Sequence, residues 1–234
     1  MFSSMFLSFR EGLEAVLIVG IILTYLVQIK KENLSKYVYS GATIGIFISL
    51  IGGFIGFKEA QELEEAGEEL FEGIMMLISS GLIGYFVVWM ATQNRNMAKS
   101  LKTSIDKQNT GWGLFVLSFL SVLREGMELV TFTLTKVSEN AITIASGTVI
   151  GIILAIIVGY LVFKTSLKLN LKIIFQVLGV ILIFIGAELL GEGLVKLIPS
   201  GAELLETSSA ILFAGISLIY FLKDDLYKIF KKRV

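Results

Sequence analysis

Two short strings carry the groups able to do chemistry: R-E-G-L-E from Arg10 to Glu14, and R-E-G-M-E from Arg124 to Glu128. Each lies inside a long apolar run, where a charged side chain at mid-depth in lipid costs roughly 2.5–3.5 kcal/mol on insertion scales. On a helix, Glu11 and Glu14 share a face and Arg10 can pair with Glu14 four residues on; Arg124, Glu125 and Glu128 repeat the pattern. An Arg–Glu pair that merely tied helices together would leave the second acid of each string uncompensated. Glu11, Glu14, Glu125 and Glu128 are therefore read as the working site, with Arg10 and Arg124 as supporting counter-charges. Buried acids of this kind bind a metal cation, relay protons or do catalysis, and metal binding is the expectation here. Ionised, the six groups carry a net charge of minus two, which a multivalent cation offsets.

Composition narrows the cation. The chain contains neither cysteine nor histidine, which excludes thiolate sites, iron–sulfur clusters, haem held by His or Cys, and di-iron sites of the Glu-x-x-His kind. A bound metal must accept oxygen ligands, which favours a hard ion; spacing alone does not choose among iron, manganese, magnesium and calcium. Beyond the glutamates there is little to do acid–base or nucleophilic work, so a carrier is expected and not an enzyme. No nucleic-acid surface is implied.

The strings need helices to hold them at depth. Of 234 residues, 55% are hydrophobic, the mean hydropathy is +0.81, and the apolar residues come in blocks of about 20, the length that crosses a bilayer. An all-α polytopic membrane protein is expected, with spans near residues 2–27, 37–57, 72–92, 112–135, 142–163, 173–197 and 204–222. The first lacks a basic segment ahead of it and a small-residue cleavage signal, and is expected to be a retained span. Between the second and third lies an acidic run with Glu59, Glu62, Glu64, Glu65, Glu68, Glu69 and Glu72. Leu63, Ala66 and Leu70 recur there at helical spacing, which predicts a short helix outside the membrane. The sixth span carries Glu188 and Glu192 four apart on one face. Glu59, Glu62, Glu65, Glu69, Glu72, Glu188 and Glu192 are candidates for a cation access path.

Alternate loops hold fifteen basic residues on one side against three, Lys58, Lys136 and Lys196, on the other. The positive-inside rule then places the N-terminus outside and the C-terminus in the cytoplasm, with the acidic run outside. Internal repetition accompanies this bias. The stretch from Ser40, S-G-A-T-I-G-I-F-I-S-L-I-G-G, matches that from Ser146, S-G-T-V-I-G-I-I-L-A-I-I-V-G, at seven of fourteen positions. Residues 1–92 thus correspond to 112–197, and three spans per repeat invert the second copy relative to the first. The expected architecture is a 3+3 inverted repeat plus a C-terminal helix at 204–222, forming one transmembrane domain. Such repeats place substrate at their interface near the midplane. Both motif glycines lie about ten residues from the outer end of their spans, roughly 15 Å deep at 1.5 Å per residue, so the four acids can meet at one level. Gly41 with Gly45, and Gly147 with Gly151, are small-xxx-small pairs expected to bring helices close.

With two R-E-G-x-E motifs in the first and fourth of seven spans, the sequence resembles the oxidase-dependent iron permeases, the high-affinity iron transporter family of fungi and bacteria. The resemblance covers nearly the whole chain. It implies that Arg10, Glu11, Glu14, Arg124, Glu125 and Glu128 bind and pass iron, as Fe3+ delivered after oxidation by an extracytoplasmic oxidase or iron-delivery protein, across the plasma membrane into the cytoplasm. The expected partners are the lipid bilayer and the iron ion, and a homo-oligomer is compatible with this reading. A carrier of another divalent cation such as manganese or magnesium, or a proton-coupled cation carrier, would use the same glutamates.

Overall fold

The computed structural model describes residues 2–93, 110–164, 171–198 and 202–231. The basic residues Arg95, Lys99, Lys102, Lys107 and Lys168 lie outside them, as does the side chain of Glu65. Seven α-helices and one short 3-10 turn make up the described chain: α1 (Phe2–Gln28), the turn (Glu32–Leu34), α2 (Ser35–Gln61), α3 (Glu65–Gln93), α4 (Gly111–Leu134), α5 (Ala141–Lys164), α6 (Leu171–Leu197) and α7 (Ala202–Lys231). No strand occurs among the described residues. Helices are what lipid demands, because every backbone polar group finds its partner within the segment.

This is a multi-pass membrane protein. Five stretches are long and apolar enough to cross a bilayer: Glu32–Gln61, Gly67–Val88, Ala141–Phe163, Gln176–Leu197 and Leu204–Lys223. The helices missing from that group are α1 and α4, and each carries three charges from its motif. The groups expected to do the chemistry are thus what lowers the apolarity of their own spans.

Local signals end the helices where the sequence allows. The α1 chain stops at Lys30, whose φ of 57° is left-handed, while the Lys31 amide donates to the Leu26 carbonyl at 2.9 Å, a Schellman-type closure. Thr110 caps α4 by accepting from the Gly113 amide at 3.2 Å. Asn140 accepts from the Ile142 amide at 2.8 Å as α5 begins.

The acidic run departs from expectation. It forms no helix of its own: α2 continues through Gln61, α3 begins at Glu65, and the break falls at residues 62–64. The Glu, Gln, Ala and Leu of the run are good helix formers and extend both flanking helices. Leu63 and Leu70 are exposed and do not form a packed stripe.

Contacts divide the chain into two compact units. The first contains α1, α2, α4 and α5, with α2 packed on α4, α1 on α5, and α1 also touching α4. The second contains α3, α6 and α7, with α6 against both others and α3 touching α7. Each unit draws helices from both sequence repeats.

Glycines set the close crossings of the first unit. A Cβ on Gly41 would run into the Phe115 carbonyl oxygen, and one on Gly45 would sit 3.0 Å from the Phe119 oxygen and 3.2 Å from the Leu123 amide. Gly151 repeats this on α1: its Cβ would collide with the Met5 oxygen and Ser8 Oγ and lie 2.8 Å from the Phe9 amide. In the repeat alignment Gly45 corresponds to Gly151, Phe119 to Met5 and Leu123 to Phe9, so the same crossing is built twice. Gly147 is buried. An apolar cluster of Ile18, Ile22, Leu26, Val38 and Leu114 closes one end of this unit.

In the second unit, Gly73 and Gly193 let α3 and α6 approach, a Cβ on Gly193 falling 3.1 Å from the Gly73 oxygen. Ser80 donates its hydroxyl to the Gly186 carbonyl at 2.8 Å. Ile83, Val87, Leu182 and Ile183 are buried on these helices, and the Ile83 side chain packs at Gly186.

Candidate metal site

The two motifs meet in the first unit, on α1 and α4. Each motif glycine is a contact point for a neighbouring helix: a Cβ on Gly12 would lie 3.0 Å from Ala155 Cβ of α5, and one on Gly126 would overlap Ser49 Oγ of α2. Ser49 and Ala155 are corresponding positions of the repeat. Glycine in the middle of R-E-G-x-E therefore lets α5 and α2 close against one side of the motif helices while the acids project elsewhere.

Glu11, Glu125 and Glu128 converge so that one carboxylate oxygen of each lies within 4.8 Å of the others. Glu11 and Glu125 are buried, and Glu128 is partly so. Glu14, the fourth expected ligand, stands outside this triad; it is buried on α1 and faces Arg10, with its Oε1 3.1 Å from Arg10 NH2. Arg10 is almost fully enclosed. Its NH1 pairs with Glu11 Oε1 and reaches Glu128 Oε2 of the other motif at 3.8 Å. Among the described residues Arg124 forms its ion pairs within its own helix: NH2 lies 2.6 Å from Glu125 Oε1 and Nε 3.6 Å from Glu128 Oε1.

These pairs leave part of the acid unsatisfied. Glu11 Oε2 and Glu125 Oε2 are buried and have no hydrogen-bond partner among the described residues, and Glu14 Oε1 meets Arg10 NH2 as an ion pair without hydrogen-bond geometry. A buried acceptor of this kind carries an uncompensated desolvation cost. Carboxylate oxygens drawn from two helices to one point, with lone pairs to spare, can coordinate a hard cation.

The sequence profile of the iron permease FTR1 family matches residues 1–222. The chain belongs to that family. A ferrous iron permease EfeU from Yersinia pestis is 30% identical over 195 residues, spanning 81% of this chain and 69% of that protein. The ferrous iron permease EfeU of Escherichia coli (strain CFT073) is 29% identical over 195 residues, spanning 81% of this chain and 71% of that protein. No solved structure matches the chain.

The remaining candidates lie elsewhere in this FTR1-family chain. Glu59, Glu62 and Glu69 are exposed, and Glu62 lies 3.5 Å from Lys58 at the end of α2. Glu72 is buried on α3 and accepts from Lys196 Nζ of α6 at 2.8 Å. It is thus a member of a structural ion pair within the second unit. Glu188 is exposed and Glu192 partly buried on α6. Three features went unread in the sequence: the reach of Arg10 across to Glu128, the Glu72–Lys196 pair, and Ser49 behind Gly126. The lone Lys196 near the end of an apolar span was the available signal for the second. The repeat alignment, which sets Ser49 opposite Ala155, was the signal for the third.

Proposed function

We propose that this chain carries iron across the plasma membrane into the cytoplasm, with Glu11, Glu125 and Glu128 as the ligands at mid-membrane. The observation that carries the reading is the convergence of these three carboxylates, from both motif copies, within 4.8 Å. Membership of the iron permease FTR1 family supports iron over manganese or magnesium as the cargo. The cluster lies between two helices that are equivalent in the repeat, as expected when substrate binds between halves related by an axis in the membrane plane.

Two supply routes are open to one assay. The resemblance to oxidase-dependent permeases favours Fe3+ handed over by an external oxidase. The name of the relatives, ferrous iron permease, favours Fe2+, and so does charge: four carboxylates and two guanidinium groups leave minus two, which a divalent ion brings to zero. Uptake of radioactive iron into vesicles containing the purified chain, with iron held reduced in one series and supplied as ferric citrate in the other, separates the routes. Iron uptake that excess Mn2+ or Mg2+ fails to suppress is the expected result. Equal suppression by either ion would overturn iron selectivity. Orientation is tested separately: the chain has no cysteine, so a single cysteine at Gly67 should label from outside and one at Gln108 only from the cytoplasm.

A further inference from the structure

Arg10 engages two of the acids that converge between the motif helices. One nitrogen, NH1, contacts both Glu11 and Glu128, two of the three acids that converge, while the other, NH2, lies 3.1 Å from Glu14, the acid outside the triad. A guanidinium does not lose its proton in a protein, and this one is only 2% exposed. It must keep a carboxylate partner whether or not a metal is bound.

We propose that Arg10 is a built-in counter-cation that exchanges with the metal, and that Glu14 is the positioning residue that holds Arg10 when the exchange occurs. NH1 bridges the two motif copies through Glu11 and Glu128. An arriving cation takes those two acids together with Glu125, whose free Oε2 already lacks a partner. NH1 gives way while NH2 stays on Glu14. The fork of the guanidinium allows this, since its two terminal nitrogens can bind separate acids. Release of the metal returns NH1 to Glu11 and Glu128, so the site is never left with its acids facing one another unscreened. The second copy has no equivalent device: Arg124 is 56% exposed and reaches no acid of α1 within ion-pair distance among the described residues.

This inference rests on the reading that the triad binds iron, and its test keeps the two apart. Equilibrium binding of ferrous iron, with ferric citrate in a parallel series, is measured on the full chain in lipid nanodiscs, comparing native protein with Glu14→Gln, Arg10→Gln/Glu14→Gln and Arg10→Gln/Glu11→Gln. Without Glu14, Arg10 has only the ligand acids to pair with, and apparent affinity should fall about tenfold or more. Removing Arg10 as well should restore it to within about threefold of native. The variant Arg10→Gln/Glu11→Gln makes the same charge change but removes a ligand, and should stay weak. If Glu14→Gln does not fold, the contrast between the two double variants decides alone. Equal weakness of both doubles would overturn the exchange and make Glu14 a ligand. A native protein that binds neither form of iron would overturn the metal reading itself, and the exchange with it.

Discussion

The two copies of R-E-G-x-E are nearly identical in sequence and unequal in place. In the first copy Arg10, Glu11 and Glu14 are all buried, and Arg10 reaches acids on two helices. In the second, Glu125 is buried, Glu128 is 23% exposed and Arg124 is 56% exposed, its ion pairs among the described residues all made to acids of its own helix. The two motifs share their acids in sequence, while their arginines sit in different environments. A motif shared by two helices thus specifies which groups meet, and the surrounding helices decide which of them holds the centre.

The acids should break symmetrically and the arginines should not. Glu11→Gln and Glu125→Gln each remove one ligand of the triad while keeping its shape, and each should lower iron uptake about a hundredfold or more, with folded protein retained in the membrane. Uptake assays alongside detergent size-exclusion profiles check both halves of that statement. Normal transport by both variants would reduce the motifs to structural ion pairs. Arg10→Gln leaves Glu14 and Glu11 buried without their main partner and should destabilise the fold by about 3–5 kcal/mol. Arg124→Gln leaves Glu128 with Arg10 and exposes mainly one oxygen of Glu125, an effect of about 1–3 kcal/mol. Thermal unfolding of the two variants in the same lipid mixture ranks them; equal losses would erase the distinction between the copies.

A smaller asymmetry lies behind the motifs. An added methyl on Gly126 overlaps Ser49 Oγ, whereas one on Gly12 meets Ala155 Cβ at 3.0 Å. Gly126→Ala should therefore be the more damaging, by about 1–3 kcal/mol, and Ser49→Gly should recover much of the loss by opening the space. Failure of that rescue would mean that α2 is held away from α4 by something other than this contact.

Much of this was legible because membrane helices obey few rules. Block length located the seven α-helices, and the small-xxx-small pattern placed Gly41 and Gly45 at a crossing. The ends were less legible. Helix formers in the acidic run lengthen α2 and α3 beyond their apolar stretches, since propensity does not stop where hydrophobicity does. Within the site, helical spacing brought out the pairing of Arg10 with Glu14 and the shared face of the acids. It could not show that Arg10 turns to Glu128, because that depends on how α1 and α4 rotate against each other, and the glycine contacts at Ala155 and Ser49 set that rotation. For the same reason the sequence treated Glu14 as equal to Glu11: both lie on one face of α1, and it is Glu11 that brings a carboxylate oxygen within 4.8 Å of Glu125 and Glu128.

The smallest effect is expected furthest from the motifs. Glu59, Glu62 and Glu69 are exposed, and charges in water are screened within about 8 Å at physiological salt. No single one should matter. Together they raise the local concentration of a cation, which acts on encounter and not on the step at mid-membrane. Replacing all three with glutamine should therefore weaken apparent iron affinity by about twofold to threefold at low ionic strength, with the difference fading as salt rises and the maximal rate unchanged. Glu72 does not belong with them, because Lys196 already neutralises it within the second unit. Glu72→Gln should leave the salt dependence of uptake untouched and lower stability instead. If the triple variant and Glu72→Gln altered uptake alike, with equal insensitivity to salt, exposed and paired acids would be doing the same job, and the separation of capture at the surface from binding at the motifs would fail.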